Sequence, residues 1–404
     1  MPAPTPDTPP TPRPIRLLCG RTPSARDHEA AGICRLALSQ DPRVQWVQTG
    51  GAEQHLPGTL WTLGLQALAA GELEALVWMA EDLALHDFLL VDRVQEWRAA
   101  GLQSLSASHE GREVLRVQVA APMADTGTAL DGVSPTVLDA RRFLTMSVQG
   151  QPLRAPAKDA ATTVPPLLLV TASRAAPQDF YTHTALGRSV QRLRAAGVAL
   201  KVRAACHNRE PLAKVYNAAM EPGFADHTVV FVHDDVVIED HHIAPRLHDA
   251  LQHFDLVGLA GCVQRLPGQP AWLFPQRVGR WAPRGQLLGC VGHDTTGTPG
   301  AVRRLRKVNH FGATRQPAAL LDGVLLAVRG QTLQDAALRF DPALAFDFYD
   351  LDFCRQAEQR GLRAGVWPLA ITHLSAGNFD SPSWRRTYPI YLEKWGEKPP
   401  EHTP

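Results

Sequence analysis

The sequence has no long apolar run, no close pair of cysteines and no charge of one sign in excess, and each absence removes a class of function. Without an uninterrupted apolar stretch long enough to span a bilayer, a transmembrane reading has no support. The first residues, MPAPTPDTPPTPRP, lack the apolar core of a secretion signal and read as a proline-rich tail over 1–14, so a cytoplasmic location is expected. The six cysteines, Cys19, Cys34, Cys206, Cys262, Cys290 and Cys354, are scattered. They fit neither a zinc ribbon nor a redox motif and read as small buried apolar residues in a reducing compartment. Lysine plus arginine totals 41 against 40 acidic residues, so no overall field collects nucleic acid. Any polyanion must be held locally.

What is present is a globular composition, 45% hydrophobic and 20% charged, over 404 residues, enough for two domains. The stretch RAPAKDAATTVPP breaks apolar periodicity and marks a linker over 154–164, with a domain of 15–153 before it, one of 165–396 after it and a tail over 397–404. In the second domain PLLLVTASR opens with a run suited to a strand buried on both faces, followed by helix at 179–196, a strand ALKVRAACHN, helix at 210–222 and a strand TVVFVHDDVVI at 228–238. Helical APRLHDALQHF then leads to a further strand, DLVGLAGCV. This alternation predicts an α/β fold with a doubly wound, mainly parallel sheet, whose ligands bind beyond the carboxyl ends of the strands. Chemistry is therefore expected at Thr171–Arg174, His207–Asn208 and His233–Asp235. Residues 272–314 read as a long irregular loop.

Three constellations carry chemistry. His233, Asp234 and Asp235 end a buried strand, where adjacent carboxylates repel unless a cation lies between them and a ligand; hard oxygen donors favour Mg2+ or Mn2+. A turn aspartate is the bland alternative. Asp350 and Asp352 stand at a helix start in FDFYDLDFC, where the helix dipole favours carboxylates and where one could also act as a general base. His373 follows the strand-like VWPLAIT in THLSAGN.

In their order, VTASR, NREPLAKVYN, FVHDDV, LDGVLLAV, FDFYDLDFC and THLSAGN resemble the family 2-like glycosyltransferases of the GT-A fold, particularly a bacterial branch typified by a streptomycin-biosynthesis protein. The resemblance covers residues 165–396 and implies transfer of a sugar from a nucleotide-diphosphate donor to an acceptor hydroxyl, with inversion and with Mn2+ or Mg2+. It implies that Thr171, Ser173 and Arg174 sit beside the nucleoside, with Asn208 and Asn217 nearby. Asp234 approaches the ribose or metal, Asp235 ligates the metal, and His373 completes the site. Asp350 matches the base, with Asp352 beside it, and Asp322 and Gly323 face the acceptor. His233 departs from the family, standing where many relatives carry the first aspartate of the motif, and basic residues around Arg303–Lys307 are expected to help neutralise the leaving group.

The rivals are a nucleotidyltransferase, for which VTASRAAPQDF lacks a glycine-rich lysine loop, a metal phosphohydrolase using His233, Asp234, His241 and His242, and a sugar-nucleotide or carbohydrate-binding module without turnover. A homodimer is also expected. In the first domain, aligning LVWMAEDLAL at 76–85 with VVFVHDDVVI sets Glu81 and Asp82 opposite Asp234 and Asp235, Asp87 opposite Asp240 and Arg93 opposite Arg246. VLDARRFL around Asp139 is then read against LLDGVLLAV around Asp322. The expectation is a shortened, catalytically silent copy of the second domain, one that ends before counterparts of Asp350 and His373 occur.

Overall fold

The computed structural model describes residues 13–19, 38, 41–49, 58–86, 88–120, 137–148, 151–153, 164–220, 223–294, 307–375, 377 and 379–400. The chain divides into two compact units, Met1–Ala155 and Pro156–Pro404. The linker expected at 154–164 lies outside the described residues except for its last position, as do Cys34, Asp87 and Arg303. The described cysteines are all free thiols, and no described helix is long and apolar enough to cross a membrane.

The first unit contains β1 (Ile15–Cys19), β2 (Val44–Gln48), α1 (Gly58–Ala69), β3 (Ala75–Met79), β4 (Leu83–Leu85), α2 (Leu90–Ala99), β5 (Ser104–His109), β6 (Arg112–Val119), β7 (Leu138–Asp139), β8 (Met146–Val148) and β9 (Gln151–Leu153). Its main sheet has the order β2-β1-β3-β6-β5-β7, and β4-β8-β9 form a small second sheet. All five residues of β3, ALVWM, are buried, as expected for a central strand covered on both faces.

The second unit follows the alternation expected of it. It runs β10 (Leu167–Ala172), α3 (Phe180–His183), α4 (Ala185–Ala195), β11 (Leu200–Ala205), α5 (Leu212–Ala218), β12 (Thr228–Val232), β13 (Val236–Ile238), α6 (Ile243–His253), β14 (Leu256–Gly258) and β15 (Ala260–Cys262). Then come β16 (Leu287–His293), β17 (Lys307–His310), β18 (Gln316–Pro317), β19 (Leu320–Leu321), β20 (Leu325–Arg329), α7 (Gly330–Asp335), α8 (Tyr349–Gln359), β21 (Ala364–Val366), β22 (Ile371–His373) and α9 (Pro382–Lys394). The main sheet has the order β11-β10-β12-β20-β14-β21-β18, and a second sheet the order β13-β22-β16-β15-β19 with β17 paired to β16. In the main sheet β11, β10 and β12 are parallel and β14 is parallel to β21, while β20 runs antiparallel between the two groups.

Four local expectations are corrected. The helix read over 179–196 breaks at Thr184, which leaves helical geometry so that its hydroxyl can accept from the Gly187 amide at 2.9 Å and cap a new helix. The strand read over 228–238 breaks after Val232, and Val236–Ile238 joins the second sheet, because His233, Asp234 and Asp235 form a turn. DLVGLAGCV likewise splits at Leu259 between two sheets, and the loop read over 272–314 contains the β16–β17 hairpin.

Strand by strand, the two units repeat one arrangement. In each, three parallel strands (β2-β1-β3; β11-β10-β12) are followed by an antiparallel strand (β6; β20), then one antiparallel to it (β5; β14), then one parallel to that (β7; β21). A short strand after the third (β4; β13) pairs antiparallel with a late strand (β8; β22). The reading of Asp139 against Asp322 is corrected by this order. Asp139 ends β7, which stands where β21 stands, whereas Asp322 precedes β20. The reading that the first unit ends before a counterpart of His373 is corrected too, since β8 stands where β22 stands.

Candidate active site

The sheet reads out into a cleft of about 1040 Å³ in the second unit. Among its lining residues are Ser173, Arg174, Asn208, His233, Asp234, Asp235, Asp322, Gly323, Asp350 and His373. Residues scattered over 200 positions in sequence meet because β10, β12 and β22 all end at this rim.

The turn after β12 supplies the acidic pair. Asp234 is held by the Ser173 hydroxyl, which donates to Oδ2 at 2.5 Å, and burial raises its pKa against that hydrogen bond. Asp235 points the other way. Burial pushes its carboxyl up, but the attraction of His373, with the charge of His233 behind it, outweighs burial and holds it below the ordinary aspartate value. His373 in turn is raised, because the same attraction exceeds its own desolvation. Its Nε2 lies 3.3 Å from Asp235 Oδ1 and 2.9 Å from the Ser375 hydroxyl. The approach to Oδ1 is an electrostatic contact without hydrogen-bond geometry, so Oδ1 remains buried with no hydrogen-bond partner.

His233 completes the cluster. Its Nε2 lies 2.8 Å from the Tyr349 hydroxyl, which itself donates to the Gly323 carbonyl at 2.9 Å. With that proton committed, Nε2–H must be the donor, leaving the Nδ1 lone pair free in the neutral ring. Burial and the charge of His373 depress the His233 pKa and favour that neutral form. Donor atoms of His233, Asp235 and His373 lie within 4.8 Å of one another. A buried carboxylate oxygen without a hydrogen bond, grouped with two imidazoles, fits a divalent cation, with a softer donor set than an all-carboxylate site.

Asp350 opens α8 on the opposite side. Its Oδ2 accepts from the Gly323 amide and its Oδ1 from the Leu351 amide, each at 2.9 Å. Burial, and next the negative charge of Asp322, push it up to about 7, the range suited to a general base at neutral pH. Glycine at 323 is required by closeness, since a side chain there would collide with the Tyr349 hydroxyl. Phe348, just before the helix, has a left-handed backbone (φ 65°) and is locked among the rings of Trp384, Tyr388 and Tyr391. Such strain in a bulky residue is held in place by the surrounding packing.

Asp322 is bound on both oxygens, by the Trp272 indole N–H at 2.7 Å and the Val324 amide at 2.8 Å. An aromatic wall continues outward from Trp272 through Phe311 to Trp281, and Phe274 joins Trp281 to Phe379. Trp281 and Phe379 remain exposed in the cleft.

Three sequence-predicted residues do not meet the cleft. Asp352 is fully buried and turned away, accepting from Gln356, Lys394 and Trp395 at 2.7–3.0 Å, so the structure corrects the expectation that it shares the catalytic work. Asn217 spends its amide pinning Phe340, donating to its carbonyl at 2.7 Å and accepting from its amide at 2.9 Å. Thr171 is buried one residue too early in β10, and Ala172 takes the lining position. Asn208 lines the cleft while its side chain closes a turn to Glu210. Sequence reasoning passed over Tyr349, although it adjoins Asp350, as well as His293 and the wall of aromatics, which come from the stretch read as irregular. Lys307 lines the cleft from the start of β17 rather than from a loop.

Residues 188–388 match the model of a family described as "Glycosyltransferase like family", a match that spans just under half of the chain. No curated protein matches the sequence. Among solved structures, the chain is similar to GalNAc-T7 with UDP, GalNAc and Mn2+ (12% identity, TM-score 0.32, covering 59% of this chain and 51% of that one). It is also similar to residues 1–349 of TarS from S. aureus (14% identity, TM-score 0.30, covering 52% and 60%). The chain thus spans about half to three fifths of the length of these structures. The family match includes β12, the acidic turn, Asp322, Asp350 and His373, while the cleft residues Ala172, Ser173 and Arg174 precede the matched segment.

Proposed function

We propose that the second unit is a GT-A-type glycosyltransferase that moves a sugar from a nucleotide-diphosphate donor to an acceptor hydroxyl with inversion, and that its motifs belong to the bacterial branch named above. One observation carries the reading: the buried Oδ1 of Asp235, ion-paired with His373 but without a hydrogen bond, and the raised carboxyl of Asp350 line a single cleft, and both residues lie in the segment matching the glycosyltransferase-like family. His233, Asp235 and His373 would hold Mn2+ or Mg2+, which when bound supplies positive charge to the diphosphate leaving group. Asp234 and Ser173, with Arg174 and Asn208, line the nucleoside end.

Asp350 takes the proton of the acceptor hydroxyl at whichever oxygen lone pair faces the cleft, its carboxylate oriented by the amides of Gly323 and Leu351. Asp322 lies near enough to raise the basicity of Asp350 electrostatically, while its own bonds to Trp272 and Val324 fix the floor of the acceptor side. Trp281 and Phe379 offer exposed ring faces to the acceptor. The test is a panel of nucleotide sugars incubated with the chain and Mn2+, read as release of nucleoside diphosphate, with Asp350→Asn as the control. Donor binding without release by the intact chain, unchanged in that variant, would favour a binding module instead.

A further inference from the structure

The pairing registers allow the two units to be compared residue by residue. Against its first parallel neighbour, β3 aligns Ile15 with Ala75, and β12 aligns Leu167 with Thr228. Ala75 thus occupies the place of Thr228, and Met79 that of Val232. The next strand pairs Ala75 with Val119 and Met79 with Leu115 in the first unit, and Thr228 with Arg329 and Val232 with Leu325 in the second. Leu115 therefore occupies the place of Leu325, which puts Arg112 in the place of Asp322. In the small sheets, Leu83 pairs with Val148 where Val236 pairs with His373.

Hydrogen bonds outside the strands agree with this alignment. The amide of Ala80 donates to Val114 as that of His233 donates to Val324, and Leu83 donates to Ala80 as Val236 does to His233. His86 donates to Thr145 as Glu239 does to Ala370, and Ala120 donates to Glu74 as Gly330 does to His227. Four irregular bonds in one register are far more specific than a shared βαβ pattern, because loops and strand ends vary most freely among unrelated sheets.

On this alignment the cluster His233, Asp235 and His373 becomes Ala80, Asp82 and Val148, and Asp322, a further acidic residue lining the cleft, becomes Arg112. Both imidazoles are gone. The one surviving carboxylate, Asp82, accepts from the Arg112 guanidinium at 2.5 Å, and its other oxygen, Oδ1, is buried without a hydrogen-bond partner, as Oδ1 of Asp235 is. A guanidinium beside the carboxylate supplies within the chain the positive charge that a divalent ion would bring.

We propose that the first unit is a second copy of the transferase scaffold whose cation site is closed by an internal ion pair, Arg112 to Asp82, so that the chain loads one divalent cation and performs transfer in its second unit alone. The inference rests on the proposed function only for the identity of the site it compares. Reversal of one charge tests it. Mn2+ binding to the full chain, counted by electron paramagnetic resonance, gives one ion for the parent protein and none for Asp235→Ala. Arg112→Asp, which puts a carboxylate where Asp322 stands in the other unit, raises the count from one to two at millimolar Mn2+. Asp82→Ala leaves the count at one and leaves nucleoside diphosphate release within about twofold. A folded Arg112→Asp protein that still binds a single ion overturns the proposal, as does a parent protein that binds two ions and loses one in Asp82→Ala. Should Arg112→Asp fail to fold, the parent and Asp82→Ala counts decide alone. A parent protein with no Mn2+ site at Asp235 contradicts the proposed function instead, which separates the two failures.

Discussion

The backbone amide of Gly323 donates a 2.9 Å hydrogen bond to Oδ2 of Asp350, tying the turn before β20 to the first turn of α8. That bond joins LDGV to FYDLDF across the cleft and gives the carboxylate a fixed direction, although burial and the charge of Asp322 raise its pKa to about 7.

The first prediction concerns that carboxylate. Asp350→Asn lowers kcat by a factor on the order of 10² to 10⁴, the usual worth of a positioned base, with donor affinity retained. Because the base works deprotonated, kcat/KM of the parent chain rises with pH through about 7 and levels above it. The stability effect has the opposite sign. A raised carboxyl pKa means that the folded state resists ionisation, so the fold loses stability as pH climbs past the ordinary aspartate value and the loss is complete above about 7. The asparagine variant therefore melts higher than the parent at pH 8 and no higher at pH 4, as differential scanning fluorimetry would record.

Asp352→Asn separates the two helix-start aspartates. Since the Asp352 carboxylate serves Lys394, Trp395 and Gln356 rather than the cleft, this change costs about 1–3 kcal/mol of stability. It leaves kcat within a few-fold at a temperature where the protein stays folded. A loss of turnover larger than that of Asp350→Asn would reverse their roles.

Tyr349→Phe removes the hydroxyl that receives His233 Nε2–H and donates to Gly323. Second-sphere partners of this kind are worth roughly 10- to 100-fold in metal affinity. The expected outcome is weaker Mn2+ binding by that factor with kcat partly recovered at saturating metal, measured by titration of activity against Mn2+.

Much of this site was legible in the sequence, and the limits have physical causes. FVHDDV, LDGV, FDFYD and THLS each sit at the end of a regular element, so their residues reach the rim by topology alone. Thr171, Asn217 and Asp352 failed because residue type and order do not encode which way a side chain turns: strand alternation buries Thr171, and a backbone hydrogen-bonding partner claims Asn217. The aromatic wall failed for a different reason. Trp272, Trp281 and Phe311 come from a stretch without periodicity, and they meet at the cleft through the tertiary fold of that stretch rather than through a repeating pattern. The equivalence of Arg112 with Asp322 was hidden because the strands of the first unit lie closer in sequence than those of the second: the offset grows from 235 − 82 = 153 at the acidic turn to 322 − 112 = 210 before β20, whereas the likeness of VLDARRFL to LLDGVLLAV pointed to 322 − 139 = 183.

Trp281→Ala probes the acceptor side. The ring is half exposed at the cleft and packs on Phe311 at a centroid distance of 5.9 Å, so its loss leaves the core intact. Once an acceptor is in hand, its KM rises roughly tenfold, equivalent to about 1.4 kcal/mol, while donor KM is unchanged.

The central claim is that Asp235 holds the cation that engages a nucleotide-diphosphate donor. Isothermal titration of a nucleoside diphosphate into the full chain, with and without Mn2+, tests it most directly when the parent is compared with Asp235→Ala. Binding at least tenfold tighter with Mn2+ is expected in the parent, with no Mn2+ enhancement in a folded Asp235→Ala protein; the same Mn2+ enhancement in both proteins would remove Asp235 from the cation site.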